Sequence, residues 1–302
     1  MELYEDEMEY SNLETNKYHE TFSRFSLLPS DKDVSLAVKK LIDSNFKENN
    51  NLNVLKFIHG CIDLTTLTSL DTKETVWEMV DTKVNSYEGT HPDVSNIAAI
   101  CVYPIFVDIV KQALNARNVK IASVAGGFPS SQTFTEIKVA ETAMAVMAGA
   151  DEIDVVMNLG LFMEEDYETL TDELSEIKDS CRDAKLKVII ETGALVTVEN
   201  IRKATILSIY SGADFVKTST GKEYPGATPE AVYVICKVIR EYAKISGRKV
   251  GIKIAGGVKT AEDAVLYYTI VKEVLGKEWL NKDLFRIGAS SLLASLQAAA
   301  VL

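Results

Sequence analysis

Short apolar runs alternate with longer amphipathic stretches along most of the chain. The short runs are rich in β-branched residues, as strands are, and the longer stretches repeat their apolar positions at helical spacing. The short runs recur eight times with no break in composition between them, so we interpret them as the strands of one domain. The predicted strands are Phe57–Asp63, Ile97–Val102, Lys120–Val124, Glu152–Met157, Lys187–Glu191, Asp214–Lys217, Val250–Ile254 and Phe285–Ile287.

The stretches between these strands predict helices, for example over Ile137–Ala148 and Pro229–Ala243, and a last helix follows Gly288. Eight β/α units over about 250 residues are what a closed parallel barrel needs, whereas an open doubly wound sheet usually has fewer strands. The pattern therefore predicts an α/β protein with a (β/α)8 TIM barrel. In that fold, the functional residues gather at the C-terminal ends of the strands.

The first 50 residues differ from this pattern. Residues 1–30 are acidic and carry several aromatic residues, so we expect a partly ordered arm that docks on the barrel or on a second subunit. From Ser30 onward, the apolar positions fit a helix that is capped by Ser30 or Asp31, ends near Asn49 and covers one end of the barrel. The predicted division is 1–50 for the arm and helix and 51–302 for the barrel domain.

The net charge of −12 over 302 residues argues against nucleic acid and anionic membranes as partners, because both require clustered Lys and Arg. A small anionic substrate needs only a few local cations and is compatible with this charge. No segment approaches the roughly 18 apolar residues of a membrane span, and the first residues lack the features of a signal peptide. We therefore expect a cytoplasmic protein, with its four cysteines reduced because none forms a CxxC pair.

Three predicted strands contain an ionisable residue among apolar neighbours: Asp154, Lys217 and Lys253. Because side chains alternate along a strand, each of these residues faces away from its apolar neighbours and is able to point into the barrel. One interpretation is a structural network of buried ions. We favour catalysis, because lysine is seldom buried without a partner or a chemical purpose.

A catalytic lysine must be neutral to attack an aldehyde. A second ammonium about 4 Å away, at an effective dielectric constant of about 20, disfavours its protonated form by roughly 4 kcal/mol, or about three pKa units. Lys217 and Lys253 therefore form a chemically reasonable pair, and Asp154 beside them would transfer protons. Asp63 ends the first predicted strand, where it would bind a substrate hydroxyl or support the lysines; a helix-start turn is the alternative.

Three loops indicate a phosphate site. Gly221-Lys222, Gly256-Gly257 and Gly288-Ala289-Ser290-Ser291 follow the sixth, seventh and eighth strands, where glycines allow close approach of the backbone to an anion. Motifs of histidine-rich zinc sites, dinucleotide folds, P-loops and serine hydrolases are missing, so we expect neither a metal nor another cofactor. The two central lysines would also oppose a carboxylate-bound magnesium.

Several segments resemble the signatures of the deoxyribose-phosphate aldolases, and the resemblance spans about residues 55–298. It implies a class I aldolase that cleaves 2-deoxy-D-ribose 5-phosphate reversibly into D-glyceraldehyde 3-phosphate and acetaldehyde, in the breakdown of deoxyribose phosphates. A homodimer would also fit the family. The segments are Ile62–Leu67, Asn96–Pro104, Gly149–Val156, Ile189–Gly193, Asp214–Lys222 and Arg286–Leu293.

The resemblance also implies roles for individual residues. Lys217 would form the Schiff base, Asp154 would transfer protons, and Lys253 would lower the pKa of Lys217. Some members of the family use a C-terminal tyrosine tail, which we do not expect here because the sequence ends in Val301-Leu302. The residues expected to bind substrate are Asp63, Thr65, Cys101, Thr218, Gly221, Lys222, Gly256, Gly257, Gly288, Ser290 and Ser291.

Two other functions compete with this one. The first is a different lysine-dependent barrel aldolase, which would use a ketose or dihydroxyacetone unit in place of acetaldehyde. The second is an inactive protein that binds a sugar phosphate and recruits a partner through the acidic arm. The joint presence of Asp154, Lys217 and Lys253 argues against the second function.

Overall fold

A computed structural model describes residues 17–300, so residues 1–16 of the expected arm and the last two residues lie outside the described chain. Eight parallel strands form a closed barrel in which each strand pairs with its neighbours in chain order. The predicted TIM barrel is therefore confirmed. The strands are β1 (Ile62–Thr65), β2 (Ala99–Val102), β3 (Lys120–Ala125), β4 (Glu152–Val156), β5 (Lys185–Ile189), β6 (Phe215–Lys217), β7 (Gly251–Ala255) and β8 (Phe285–Ala289).

Helices surround the barrel and connect its strands. Their ends carry ordinary capping signals: the Thr228 side chain accepts a hydrogen bond from Ala231 N–H at the start of the helix Pro229–Ser246, and Gly247 ends that helix in the left-handed region. The helices are α1 (17–23), α2 (Asp31–Asn49), α3 (Leu52–His59), α4 (Lys73–Lys83), α5 (Val107–Ala113), α6 (Thr135–Ala148), α7 (Leu159–Met163), α8 (Tyr167–Ser180), α9 (Thr192–Leu195), α10 (Val198–Tyr210), α11 (Pro229–Ser246), α12 (Ala261–Leu275) and α13 (Leu292–Ala300).

Most predicted strand ends differ from the observed ones by one or two residues, and two of the wrong boundaries have a structural reason. The segment 57–59 belongs to helix α3, because Asn51 caps that helix and β1 does not begin until Ile62. The fifth strand ends at Ile189, and Glu191 has a left-handed backbone with φ of 52°. The first error arises because a short apolar run does not by itself distinguish a strand from a buried helical turn.

The interior of the barrel has an apolar side and an ionic side. Small and apolar side chains of β2 and β3 form one cluster, which includes Cys101, Ala122 and Val124. Buried charged side chains from the remaining strands fill the opposite side. The large apolar cluster lies between the strands and the helices, so the charged residues are enclosed by a continuous hydrophobic layer.

The described part of the N-terminal arm packs on the outside of the barrel. Tyr18 and Phe22 make edge-to-face contacts with Tyr167, at ring-centroid distances of 5.7 and 5.5 Å. The buried Arg202 of α10 donates hydrogen bonds to the carbonyl oxygens of Phe22, Phe25 and Ser26. The arm therefore docks on the barrel over residues 17–26.

Helix α2 packs against α11 and α12 in the outer layer, where the Asn49 side chain donates a hydrogen bond to Thr269 Oγ1 at 3.2 Å. It begins at Asp31, as the sequence predicts. The division of the chain at residue 50 stays a prediction. None of the helices in residues 17–300 is long and apolar enough to cross a membrane.

Candidate active site

Lys217, Lys253 and Asp154 meet inside the barrel, as the sequence predicts. The Nζ atoms of Lys217 and Lys253 lie 2.8 and 2.7 Å from the same oxygen, Asp154 Oδ2. All three side chains are at most 3% exposed. Lys217 pairs in register with Lys253 across β6 and β7, which places the two amines side by side at one end of the barrel. A single carboxylate oxygen is thus shared by two lysines.

Charged neighbours make the two buried lysines electrostatically different. Loss of solvent lowers the pKa of Lys217, and the neighbouring Lys253 lowers it further against the opposing effect of Asp154. Burial acts in the same direction on Lys253, but Asp154 and Asp63 together raise its pKa well above the ordinary value. Lys217 is therefore the lysine better suited to be neutral, and Lys253 is the one that keeps its proton.

Asp154 stays ionised in this environment. Burial alone would raise its pKa, but Lys187, Lys217 and Lys253 hold the pKa well below its usual range. Cys101 Sγ lies 4.0 Å from Asp154 Oδ2, and burial raises the pKa of this thiol. The carboxylate therefore accepts hydrogen bonds from cations on one side and contacts a neutral thiol on the other.

Three further buried charges belong to this cluster and were missed by the sequence analysis: Lys187, Glu152 and Arg286. Lys187 Nζ lies 2.8 Å from Asp154 Oδ1 and 2.7 Å from Glu152 Oε2. Arg286 donates to Glu152 at 2.7 Å and to Asp63 at 2.6 Å. For Lys187 and Arg286 a signal was present in the sequence, since each of them stands between two apolar residues.

A cavity of about 290 Å³ opens at the C-terminal end of the barrel and reaches Lys217 and Lys253. Lys222 and Lys259 also line it, and together with the barrel lysines they make its wall cationic. Lys259 was not among the predicted site residues. We call this cavity the anion pocket; its predicted lining residues are Thr65, Lys217, Gly221, Lys222, Lys253, Gly256, Gly257, Gly288, Ser290 and Ser291.

The backbone of the anion pocket is suited to an anion. Gly221, Gly256 and Gly257 have φ of 74°, 83° and 83°, a region that other residues adopt only with strain. Ser290 and Ser291 directly precede α13, whose first N–H groups have no partner within the helix. Phosphate groups are commonly bound by such a combination of glycine loops and a helix start after the last two barrel strands.

Four predicted substrate residues lie in or around the ionic cluster. Asp63 forms an ion pair with Lys253 at 2.7 Å and is fully buried, so it supports the lysine and does not line the anion pocket. The Thr218 hydroxyl bridges β6 and β7, donating to Ala255 O and accepting from Ala255 N, both at 3.0 Å. Gly288 leaves room for Lys253, since a Cβ there would lie 2.9 Å from Lys253 Cε. Cys101 contacts Asp154 from the apolar side of the barrel.

Glu191 fixes the loop that follows β6. Its carboxylate accepts hydrogen bonds from the Thr220 hydroxyl at 2.5 Å and from the Thr220 N–H at 3.1 Å. Thr220 Oγ1 in turn accepts from Lys222 N–H at 3.2 Å. Burial raises the pKa of Glu191, while the hydrogen bonds from Thr220 oppose that shift. The Glu191 carboxylate therefore orients the segment that carries Lys222 through Thr220.

This arrangement is suited to covalent chemistry on a carbonyl compound. A buried amine with a lowered pKa is able to add to an aldehyde, and an ionised carboxylate within hydrogen-bond distance is able to accept a proton. The anion pocket next to the amine would hold a charged group of the same molecule. Among residues 17–300, no three His, Cys, Asp or Glu side chains are placed to bind a metal ion together.

Comparisons with known proteins agree on one family. The model of the DeoC/LacD family aldolase matches residues 58–298. Human deoxyribose-phosphate aldolase is 40% identical over 245 residues, and the mouse enzyme is 41% identical over 245 residues; each alignment covers 78% of this chain and 77% of the relative. A tetrameric deoxyribose phosphate aldolase from Aeropyrum pernix is 26% identical, with a TM-score of 0.63, and the match covers 89% of this chain and 98% of that chain.

Proposed function

The chain belongs to the DeoC/LacD family of aldolases, and on that premise we propose that it cleaves 2-deoxy-D-ribose 5-phosphate reversibly into D-glyceraldehyde 3-phosphate and acetaldehyde. It is a lyase that breaks a carbon–carbon bond. The observation that carries the proposal is the buried Lys217, which contacts Asp154 at 2.8 Å and faces a cationic pocket able to hold the substrate phosphate. Lys217 is the proposed Schiff-base residue.

The reaction begins when neutral Lys217 Nζ adds to the aldehyde carbon C1, and loss of water from this adduct gives an iminium ion. A base then removes the proton of the 3-hydroxyl, the C2–C3 bond breaks, and the electron pair moves into the iminium to form an enamine. D-Glyceraldehyde 3-phosphate leaves at this point. Protonation of the enamine at C2 and addition of water release acetaldehyde and regenerate the amine.

Asp154 is the proposed proton-transfer group, and Lys253 is the charged residue beside it. Lys253 Nζ lies 2.7 Å from Asp154 Oδ2 and keeps its proton, so it favours the neutral form of Lys217. The pair adjoins Lys217 through the shared Asp154 Oδ2. The proton that the 3-hydroxyl loses during cleavage therefore has an acceptor next to the covalent intermediate.

We further propose that the enzyme acts in the cytoplasm, in the breakdown of deoxyribose phosphates. The four cysteines are free and buried, which fits a reducing compartment. The proposed chemistry uses no metal or other cofactor, because the iminium itself supplies the electron sink. The partner it requires is a small phosphorylated sugar or aldehyde.

The purified protein is expected to turn over 2-deoxyribose 5-phosphate in the presence of EDTA, with D-glyceraldehyde 3-phosphate detected by a coupled dehydrogenase. Unphosphorylated 2-deoxyribose should react with a kcat/KM lower by on the order of 10²-fold, because it lacks the anion that the pocket binds. Cleavage of a ketose phosphate in place of this substrate would support the rival barrel aldolase. If the folded protein turned over neither 2-deoxyribose 5-phosphate nor a ketose phosphate, the alternative of an inactive protein that binds a sugar phosphate would be favoured.

The variant Lys222→Met tests the phosphate end of the site. It should raise KM for 2-deoxyribose 5-phosphate about tenfold and leave the reaction of unphosphorylated 2-deoxyribose unchanged. The matched control is Lys277→Met, an exposed lysine on the loop that precedes β8, at the opposite end of the barrel. Equal losses with both substrates would contradict a role of Lys222 in binding phosphate.

We also propose that the protein is a homodimer that associates through the outer face of α6. Four large apolar side chains on or next to this helix are 54–77% exposed: Phe134, Ile137, Met144 and Met147. Their spacing places them on one side of the helix. Ile105, on the neighbouring connection after β2, is also 76% exposed. A contiguous apolar surface of this kind is typical of an interface between subunits.

Light scattering with size-exclusion chromatography should give the mass of two chains for the wild-type protein. The double change Met144→Glu and Met147→Glu should give the mass of one chain, because a dimer related by twofold symmetry would bury both pairs of carboxylates. Ile245→Glu is the control, since Ile245 is also half-exposed but lies on α11. A wild-type monomer or tetramer would contradict the dimer.

A further inference from the structure

The buried charges beneath the anion pocket form a closed ring. Its six ion pairs are, in order, Asp63 to Lys253 at 2.7 Å, Lys253 to Asp154 at 2.7 Å, Asp154 to Lys187 at 2.8 Å, Lys187 to Glu152 at 2.7 Å, Glu152 to Arg286 at 2.7 Å, and Arg286 to Asp63 at 2.6 Å. Acids and bases alternate around the whole ring. Every member is buried.

The ring is electrically balanced without Lys217. It contains three carboxylates and three cations, and Lys217 is attached to it from outside, through Asp154 Oδ2. A proton on Lys217 would add a fourth cation to the three carboxylates. Because a surplus charge in a low-dielectric interior is strongly disfavoured, the balanced state is the one in which Lys217 is neutral.

We propose that Lys187, Glu152 and Arg286, which do not line the anion pocket, are positioning residues that keep Lys217 neutral by completing a charge-balanced ring around Asp154. This inference rests on the proposed role of Lys217 as the Schiff-base lysine. It differs from an effect of Lys253 alone, because it gives a role to charges on β4, β5 and β8 that do not contact Lys217. It also predicts the direction in which the loss of each charge shifts the pKa of Lys217.

Groups from several elements face Lys217. Asp154 of β4 and Lys253 of β7 are members of the ring, and Cys101 of β2 is a thiol whose pKa burial raises. Glu191, after β5, has a raised pKa and bonds to Thr220. Phe128, whose ring centroid lies 6.0 Å from Lys217 Nζ, carries no charge. The ring therefore supplies the nearest set of compensating charges.

The test compares two neutralising changes of opposite sign. Arg286→Met leaves the ring with a surplus negative charge, which favours a proton on Lys217. The ascending limb of the plot of kcat/KM against pH should therefore move to higher pH. Glu152→Gln leaves a surplus positive charge, so the ascending limb should move to lower pH. A unit charge on the order of 10 Å away, at an effective dielectric constant of about 20, predicts shifts of about one pH unit each.

Control variants separate this effect from a loss of structure. Arg286→Lys keeps the charge and should restore most of the wild-type profile. Glu173→Gln disturbs another buried ion pair, that of Lys138 and Glu173 between α6 and α8, and should leave the profile in place. Urea unfolding shows which variants are folded. Glu152→Gln is isosteric and decides the question if Arg286→Met does not fold.

The rate at which acetaldehyde and cyanoborohydride modify Lys217 gives a second measure, since imine formation needs the neutral amine. It should shift with pH in the same direction as kcat/KM in each variant. The proposed role of the ring would be overturned if the ascending limb of kcat/KM against pH did not move in the folded variants. It would also be overturned if Arg286→Met and Glu152→Gln moved that limb in the same direction. Absence of any adduct on the wild-type protein would instead contradict the Schiff-base function.

Discussion

Replacing Lys217 with methionine should lower kcat for cleavage of 2-deoxyribose 5-phosphate by at least about 10⁴-fold, because the iminium on Lys217 is the electron sink for cleavage of the C2–C3 bond. Intact-mass measurement after treatment with acetaldehyde and borohydride should show one added ethyl group on the wild-type protein and none on the variant. The variant should remain folded, since methionine fills most of the buried space and the ring is charge-balanced without Lys217.

Lys138→Met is the matched control for Lys217→Met. Lys138 is also fully buried and also paired with a carboxylate, Glu173 at 2.7 Å, but it lies on α6 outside the barrel. This variant should be less stable than the wild-type protein, but it should still form the acetaldehyde adduct on Lys217 and keep the wild-type kcat. An adduct that persists in Lys217→Met would place the Schiff base on another lysine, with Lys253 the first to examine.

The second large effect is expected for Asp154→Asn. Its kcat should fall by about 10²- to 10⁴-fold, because the base for the covalent intermediate is lost, while acetaldehyde should still be trapped on Lys217 at a reduced rate. The free energy of unfolding should also fall, by about 3–5 kcal/mol, since Lys187 and Lys253 lose a buried ionic partner. Single-turnover kinetics and urea unfolding measure the two effects separately.

Glu173→Gln provides the comparison for stability. It weakens a buried ion pair of similar geometry but leaves the barrel interior unchanged. A comparable loss of stability with full activity is expected. If Asp154→Asn lost no more activity than Glu173→Gln, Asp154 would be a structural member of the ring and not the proton-transfer group.

The sequence predicted the fold well because its strongest signal was regular. Eight β-rich runs separated by amphipathic stretches leave few alternatives to a closed parallel barrel, and the barrel is what the structure has. The same pattern placed Asp154, Lys217 and Lys253 on inward-facing positions, and the structure brings them together. Their catalytic roles stay predictions.

The sequence did not reveal how the buried charges are connected. Lys187 and Arg286 carry the same local signal as Lys217, a charge between apolar residues of a strand. Their partners, however, come from strands distant in the chain: Arg286 of β8 reaches Glu152 of β4. Such pairing depends on the closure and stagger of the barrel, which local spacing does not encode.

Local exceptions also escaped the sequence analysis. Phe57 reads as the start of a strand but belongs to α3. The Asn51 side chain caps this helix, and the apolar run that follows continues it. Glu191 reads as the end of a strand, whereas its carboxylate holds Thr220 and its backbone turns into the left-handed region. A tertiary contact decided the backbone at Glu191, and no neighbouring residue announces it.

Arg202 makes the N-terminal arm part of the barrel surface. Its side chain is 2% exposed, and three of its acceptors are carbonyl oxygens of the arm. Loss of the arm would uncover this cation to water and leave it with Glu199 as its remaining partner. It would also uncover the Tyr167 ring that Tyr18 and Phe22 cover, so a truncated chain would present a cation and an aromatic ring on the same new surface.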